Sequence, residues 1–224
     1  MRPWSDLETF TLEPYLLEEC AARHTRLCPR QVLGLRIGLL GVRAVGLEVP
    51  RSDKRLLVIA ETDGCAADGI IVATGCEVGR RTLRIIDYGK VAATFIDVET
   101  EQAVRVFPQA AARERATLYA PQAPSSWHAQ LKAYQIMPDK ELLAVQPVVL
   151  TFSLKALIGE AGQRAVCDAC GEEIINQREV ALDGKILCRS CAGNNYYAVR
   201  ANGRLPGTHQ EILKLIDRPL PDGE

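Results

Sequence analysis

An α+β fold, a mixed core domain with a small C-terminal zinc-finger module, is what this sequence predicts, and three observations carry it. Helix and strand signals are interspersed along the first 155 or so residues without regular alternation, which disfavours a doubly wound parallel sheet. Near the C-terminus, Cys167, Cys170, Cys188 and Cys191 form two Cys-x-x-Cys pairs. The chain has 224 residues, 47% of them hydrophobic, enough for one main core plus something smaller. The expected division is a core over 1–160, a four-cysteine finger over 161–200 and a tail over 201–224.

The elements follow in order. Leu7–Ala22 reads as helix, broken near Pro14. Pro29 opens the next helix, where its missing N–H costs nothing; this helix runs to about Val45 and stops at Gly46. Gly34, Gly38 and Gly41 recur on one face of it, which suits close approach by a sheet, a partner helix or a ligand. Arg55–Glu61 is apolar and β-branched, a strand. Ala66–Ala73 is a short helix ending at Gly75. Thr82–Asp87, Ala92–Val98 and Ala103–Phe107 are strands, the last two suited to a hairpin. Gln109–Leu118 and Trp127–Ile136 are helices, separated by the loop Pro121–Ser126. Pro138–Leu143 makes a helical turn. Val145–Phe152 is a strand that Pro147 assigns to a sheet edge. Gly159–Gln163 is a linker. The metal module occupies about Val166–Asn195, and a weak helix, Gln210–Asp217, lies in the tail.

Charge and hydropathy remove some functions. Net charge is -1, so the broad basic surface of a non-specific nucleic-acid binder is not expected. No apolar run approaches the roughly 20 residues that span a bilayer, and the N-terminus lacks the apolar core of a secretory signal. The expectation is a cytoplasmic protein without membrane contact. In that setting, eight cysteines favour metal or thiol chemistry over disulfides.

The C-terminal pattern is Cys-x2-Cys, seventeen residues, then Cys-x2-Cys. Two intervening residues let both thiolates of a knuckle reach one metal, and the long loop brings the second knuckle round to complete a tetrahedron. Gly171 follows the first knuckle, and Asp183–Gly184 suits a hairpin turn between Arg178–Leu182 and Lys185–Leu187. Four sulfur ligands leave no open position, so Zn²⁺ here is structural; a redox dithiol or an iron site is the less favoured use of the same cysteines. A segment this short buries too little apolar surface alone, and the metal supplies folding energy.

A second constellation lies in the core. His24 precedes Cys28 by four residues; Cys28 immediately precedes Pro29 at a helix start; Cys65 opens the next helix; Cys76 follows that helix. A helix N-terminus favours negative charge and lowers a thiol pKa. Cys28 and Cys65 are therefore candidates for thiolate chemistry, with Asp68 and Lys90 nearby in sequence, and His24, Cys28, Cys65 and Cys76 are a candidate core metal site. Buried, inert cysteines are the alternative.

The blocks HTRLCPRQVLGLRIGLLGV and ETDGCAADGIIVATGCEVGRRTLRIIDYGKVAATF resemble the FmdE family, the E subunit of formylmethanofuran dehydrogenase and its operon-associated relatives. The matching residues are His24, Cys28 and Pro29; Glu61, Thr62, Asp63, Cys65, Asp68 and Ile70; Thr74, Gly75, Cys76 and Gly79; and Asp87, Tyr88, Gly89, Lys90, Ala92, Thr94 and Phe95. Arg26 stands where the family's second His falls, and Gly69 where it has Ala. The resemblance covers roughly residues 15–155 and implies a dimerising α+β core, hence a homodimer, and a tie to a molybdenum or tungsten oxidoreductase whose catalytic machinery lies in other subunits. It points to an accessory protein that binds metal or thiol groups. The alternatives are a metal-dependent enzyme with a His24–Cys28–Cys65 site and Asp68 as base, or a regulatory or docking protein, since the finger resembles that of the DksA/TraR group. Zn²⁺ in the finger and a second metal in the core are the expected cofactors.

Overall fold

The computed structural model describes residues 12–49, 51, 53–159 and 162–197. The start of the first expected helix and the tail helix Gln210–Asp217 lie outside the described residues. Two compact units divide at Leu154/Lys155, six residues before the expected boundary. The short helix α7 (Leu154–Ile158) explains the difference: Arg178, in the finger, donates to the carbonyls of Ala156 and Leu157, tying that helix to the second unit.

In the first unit, α1 (Pro14–Ala22) leads into α2 (Pro29–Ala44). Pro29 sits at the first helical position, and Cys28 is the N-cap. Gln31 completes a capping box: its Oε1 accepts from the Cys28 amide at 3.0 Å. Past Ala44, Gly46 adopts φ 81° and ends the helix. Nearly every side chain of α2 is buried, because the helix is central: α3 (Cys65–Thr74), the sheet and α5 (Ser126–Ile136) all pack against it.

The sheet has five strands in the order β2-β1-β3-β4-β5: β1 (Leu56–Ala60), β2 (Leu83–Ile85), β3 (Ala93–Asp97), β4 (Ala103–Pro108) and β5 (Leu143–Val148). β1 is fully buried. It runs parallel to β2, with α3 as the crossover, and antiparallel to β3. β3 and β4 form the expected hairpin. β5 is an edge strand, where Pro147 sits without a lost ladder bond to an outer neighbour. It ends at Val148 rather than Phe152, because Val148 pairs with Ala103, the first residue of β4, and no partner strand continues beyond it. α4 (Ala112–Tyr119), α5 and the short α6 (Asp139–Leu142) connect β4 to β5.

One buried and one half-buried ion pair tie this unit together. Arg36, fully buried on α2, donates to Asp139 Oδ1 at 2.6 Å and to the carbonyls of Tyr134 and Met137. Arg55 grips Asp97 through two bonds of 2.7 Å, and the Thr100 hydroxyl donates to the same carboxylate.

The glycine face of α2 is filled from within the chain. A Cβ added at Gly34 would lie 2.0 Å from the Ala66 carbonyl oxygen, one at Gly38 would meet the Ala73 side chain, and one at Gly41 the Phe95 ring. Gly69, on α3, lies equally close to the backbone of Gln31 and Leu35. The glycines thus permit α2 and α3 to cross at backbone contact, and this face is not available to a second copy of the chain.

The second unit carries two small antiparallel hairpins, β6 (Arg164–Val166) with β7 (Glu173–Ile175) and β8 (Val180–Leu182) with β9 (Lys185–Leu187). Asp183 and Gly184 both take positive φ between β8 and β9, the turn that a two-residue hairpin favours.

Candidate metal and thiol sites

The first knuckle follows β6 and the second follows β9. Gly171, at φ 74°, donates its amide to the Cys167 carbonyl, closing the first knuckle. The Cys188 amide donates to Cys167 Sγ and the Cys191 amide to Cys188 Sγ. Asp168 bridges the hairpins, accepting from the Ile186 amide at 2.7 Å. The four sulfurs lie within 4.8 Å of one another, and Cys170 Sγ stands 3.9 Å from Cys188 Sγ. Zn–S bonds of about 2.3 Å in a tetrahedron place sulfurs about 3.8 Å apart, so the donor set fits one Zn²⁺.

Their protonation favours a cation too. Backbone amides of Cys188 and Cys170 bring the Cys167 thiol down to about 6, while the thiols of Cys188 and Cys170 push Cys191 up to about 12. Crowded thiols resist ionising together unless a divalent ion compensates them.

The core constellation is built on α2 and α3. Cys28 caps α2 and Cys65 is the first residue of α3. The backbone contact of Gly34 with Ala66 fixes the two helices, and the Cys28 thiol comes to lie beside Cys65, close enough to act on its protonation. Cys65 and Asp68, three residues apart, share one face of α3. Asp68 Oδ2 lies 2.7 Å from His24 Nε2. A carboxylate on one ring nitrogen orients the imidazole and leaves Nδ1 as the nitrogen for a ligand. Gln31, fully buried, holds Cys28 in place: besides the bond to the Cys28 amide it donates to the Cys20 carbonyl at 2.6 Å.

The remaining candidates stand apart. Cys76 is buried below the other end of α3, with its sulfur 3.7 Å from the Leu56 carbonyl and its amide donating to Thr74. The ten residues of α3 span about 15 Å, so Cys76 does not join Cys28 and Cys65. Lys90 donates its amide to the Glu61 carbonyl, and its ammonium lies 5.9 Å from the centre of the Tyr88 ring. Among the described residues, the finger cysteines are the one group of three or more metal-capable side chains drawn within 4.8 Å. The core instead presents two pairs, Cys28 with Cys65 and His24 with Asp68.

The helix starts do not lower the Cys65 thiol as expected. Burial raises it above its ordinary value, the neighbouring Cys28 thiol raises it further, and its own amide and Arg30 oppose this less strongly. Burial also raises Cys76 and pushes Cys20 up to about 12.

Sequence reasoning gave no positioning role to three residues, Gln31, Trp127 and Glu61, the last named only as a match to the family. Gln31 was legible as a capping residue three positions after Cys28. Glu61, buried at the end of β1, takes two bonds from Arg105 on β4, at 2.5 and 2.6 Å. Its carbonyl also accepts from Tyr88 and Lys90, so it fixes both the turn into Cys65 and the 87–90 loop. Trp127, at the start of α5, carries the Arg26 guanidinium 5.3 Å above its ring. No local pattern signals those last two contacts.

An α+β core with paired thiols at two helix starts, followed by a four-cysteine knuckle module, is a metal-binding, zinc-finger type of protein. Residues 23–144 match the family described as FmdE, molybdenum formylmethanofuran dehydrogenase operon, more than half of the chain, and the chain belongs to that family. Residues 162–197 match the prokaryotic DksA/TraR C4-type zinc finger. A probable S-adenosyl-L-methionine-binding protein of Archaeoglobus fulgidus is 28% identical over 218 aligned positions, covering 85% of this chain and 56% of that protein. The chain thus spans little more than half the length of that relative. An FmdE-like protein of the tungsten formylmethanofuran dehydrogenase type, from Syntrophus aciditrophicus, superposes with a TM-score of 0.55 at 20% identity, covering 85% of this chain and 99% of that one, which shows a shared fold. No helix among the described residues is long and apolar enough to cross a membrane.

Proposed function

We propose that the chain is a metal- and thiol-binding accessory protein that serves a molybdenum or tungsten oxidoreductase. The observation that carries this reading is the juxtaposition of Cys28 and Cys65 at two helix starts, with His24 held by Asp68 on the same face of α3. Soft thiolates and an imidazole suit a soft or borderline metal. Cys28 and Cys65 supply a pair of thiol donors, Asp68 orients His24, and metal entry would draw Nδ1 of His24 onto the pair and leave a fourth position for cargo or substrate. The finger holds one structural Zn²⁺ through Cys167, Cys170, Cys188 and Cys191. The tie to a molybdenum or tungsten enzyme is supported by the family's operon and by the name of the Syntrophus protein. A homodimer and a cytoplasmic location belong to the same reading; the dimer rests on family membership, since the glycine face of α2 is internally filled.

The test is metal content per full-length chain. The zinc-loaded protein, titrated with Co²⁺, should take up one further equivalent with a thiolate-to-cobalt absorption band. Cys28→Ser and Cys65→Ser should each remove that equivalent and leave the finger's zinc, whereas Cys76→Ser should change neither. A protein that binds a single equivalent in total, or keeps the second one in Cys28→Ser, would sink the core site.

The Archaeoglobus relative supports a second reading, a site for S-adenosylmethionine. Equilibrium dialysis with that compound separates the two, because the accessory reading expects no binding.

A further inference from the structure

All eight cysteines are free thiols in the structure. Four of them form the finger's donor set. Of the four in the core, Cys20 is fully buried, and Cys76 sits at the far end of α3 with its sulfur against the Leu56 carbonyl. Cys28 and Cys65 differ on two counts. Both are half-buried, within reach of a small solute, and the packing of α2 on α3 brings them together. A Cβ added at Gly69 would lie 2.1 Å from the Gln31 carbonyl oxygen and 2.6 Å from the Leu35 amide nitrogen, and one at Gly34 2.0 Å from the Ala66 carbonyl oxygen. The N-terminal halves of the two helices are thus in backbone contact. Cys28 caps the turn that holds Gln31, and Cys65 lies one turn before Gly69 on the same face of α3. Gln31 pins the Cys28 end of the contact through the Cys28 amide and the Cys20 carbonyl. The two thiols lie close enough to interact directly. A disulfide needs a Cα separation of about 4.4–6.8 Å, the spacing that helices touching backbone to backbone give to facing residues.

We propose that Cys28 and Cys65 are a dithiol that closes reversibly to a disulfide, a redox switch on the core site. The oxidant is a low-molecular-weight disulfide. One cysteine thiolate attacks it and releases one small thiol; the other cysteine thiolate then displaces the second. One Sγ–Sγ bond forms for the one that breaks. Two electrons pass from the cysteine pair to the small disulfide, and the two cysteine protons end on the two released thiols. In a reducing compartment disulfides are of this transient, redox-sensing kind. The bond joins positions 37 residues apart in sequence, on helices already in contact. Its consequence for metal rests on the accessory reading above. The thiolate is the form that binds a metal, so oxidation withdraws both sulfur donors, and cargo loads only into the reduced protein.

The test is equilibration of the full-length, zinc-loaded protein with oxidised and reduced glutathione at set ratios, followed by alkylation of free thiols and peptide mapping by mass spectrometry. The expected product is two hydrogens lighter than the reduced protein, carries a Cys28–Cys65 cross-link and reverts as reduced glutathione is raised. Cys76→Ser should form it unchanged. Cys28→Ser and Cys65→Ser cannot form it, and each should instead hold one glutathione on the cysteine that remains. Absence of the cross-link at every ratio, glutathione adducts in its place in the parent, or a bond from either residue to another cysteine overturns the proposal. Cobalt titration of the two forms separates this inference from the reading it rests on. Uptake of the second equivalent by the reduced protein and not by the oxidised one supports the switch, and uptake by both overturns it. Uptake by neither, with the cross-link present, sinks the core metal site and leaves the dithiol assignment standing.

Discussion

Replacing Gly34 with alanine sets two physical effects of opposite sign against each other. In a helix interior, Gly→Ala favours folding by about 1 kcal/mol through propensity alone. In this structure the new Cβ would lie 2.0 Å from the Ala66 carbonyl oxygen, 2.8 Å from its carbon and 2.9 Å from its Cα. Carbon and oxygen normally approach to about 3.3 Å, so α3 must retreat from α2 by roughly 1 Å. All three opposing atoms are backbone, and no side-chain rotamer can absorb the strain. Overpacking of this kind costs about 1–3 kcal/mol. Taking the upper end for a rigid contact and subtracting the propensity gain leaves a net loss of about 2 kcal/mol. With a urea slope near 2 kcal/mol per molar, the midpoint falls by about 1 M. Cys65 precedes Ala66 directly, so it moves with the displaced segment, and second-site cobalt uptake should weaken in the same variant. Far-UV circular dichroism in urea follows the helical core. Gly79→Ala is the control, since a Cβ there meets nothing within 4 Å, and its stability should hold to within about 0.5 kcal/mol. A Gly34→Ala protein as stable as the parent, or more stable, would refute the claim that backbone contact between α2 and α3 sets the spacing of the two cysteines.

Asp139→Ala strands the fully buried guanidinium of Arg36 and should cost about 3–5 kcal/mol; the Arg36→Met/Asp139→Ala double variant, measured in the same urea titration, should recover much of that loss. Asp97 governs an acid-dependent part of stability. Arg55 beside it holds its carboxyl well below the usual carboxylate range, with Thr100 and the Glu99 amide assisting against burial. A depressed folded-state pKa means the contribution is present above the unfolded value, near 3.8, and is lost as pH falls below it. Asp97→Asn should therefore melt lower than the parent at pH 7, and the gap between the two proteins should narrow as pH drops from about 4 toward 2. A gap that is constant across this range counts against the Arg55–Asp97 contact.

Much of the fold was legible because it rests on local signals. Pro29 opening α2, Gly46 and Gly75 ending helices, the apolar, β-branched strand Arg55–Glu61 and the Asp183–Gly184 turn each follow from the conformational limits of a few adjacent residues. The finger was legible for a related reason: two residues between cysteines and one loop length suffice to define a tetrahedral set of sulfurs. What local pattern blurred were the ends of elements that depend on a neighbour. β5 stops where β4 offers no further partner, and α7 belongs to the second unit through Arg178.

The core site shows the division most clearly. The sequence alone placed Cys28 and Cys65 at helix starts, named His24 and Asp68, and matched the motifs of the family to which the chain belongs. It had no means of choosing among four cysteines, because partners 37 residues apart, such as Cys28 and Cys65, meet only through the packing of α2 on α3. Tertiary structure brought Cys65 to Cys28, set Asp68 on His24 and left Cys76 at the far end of α3. It also reversed the expected pKa of Cys65, since a helix start favours the thiolate but burial and a neighbouring thiol oppose it more strongly. Local chemistry is written in neighbouring residues; which of them share a site is decided by backbone contacts, here those made possible at Gly34 and Gly69, that no window of sequence contains.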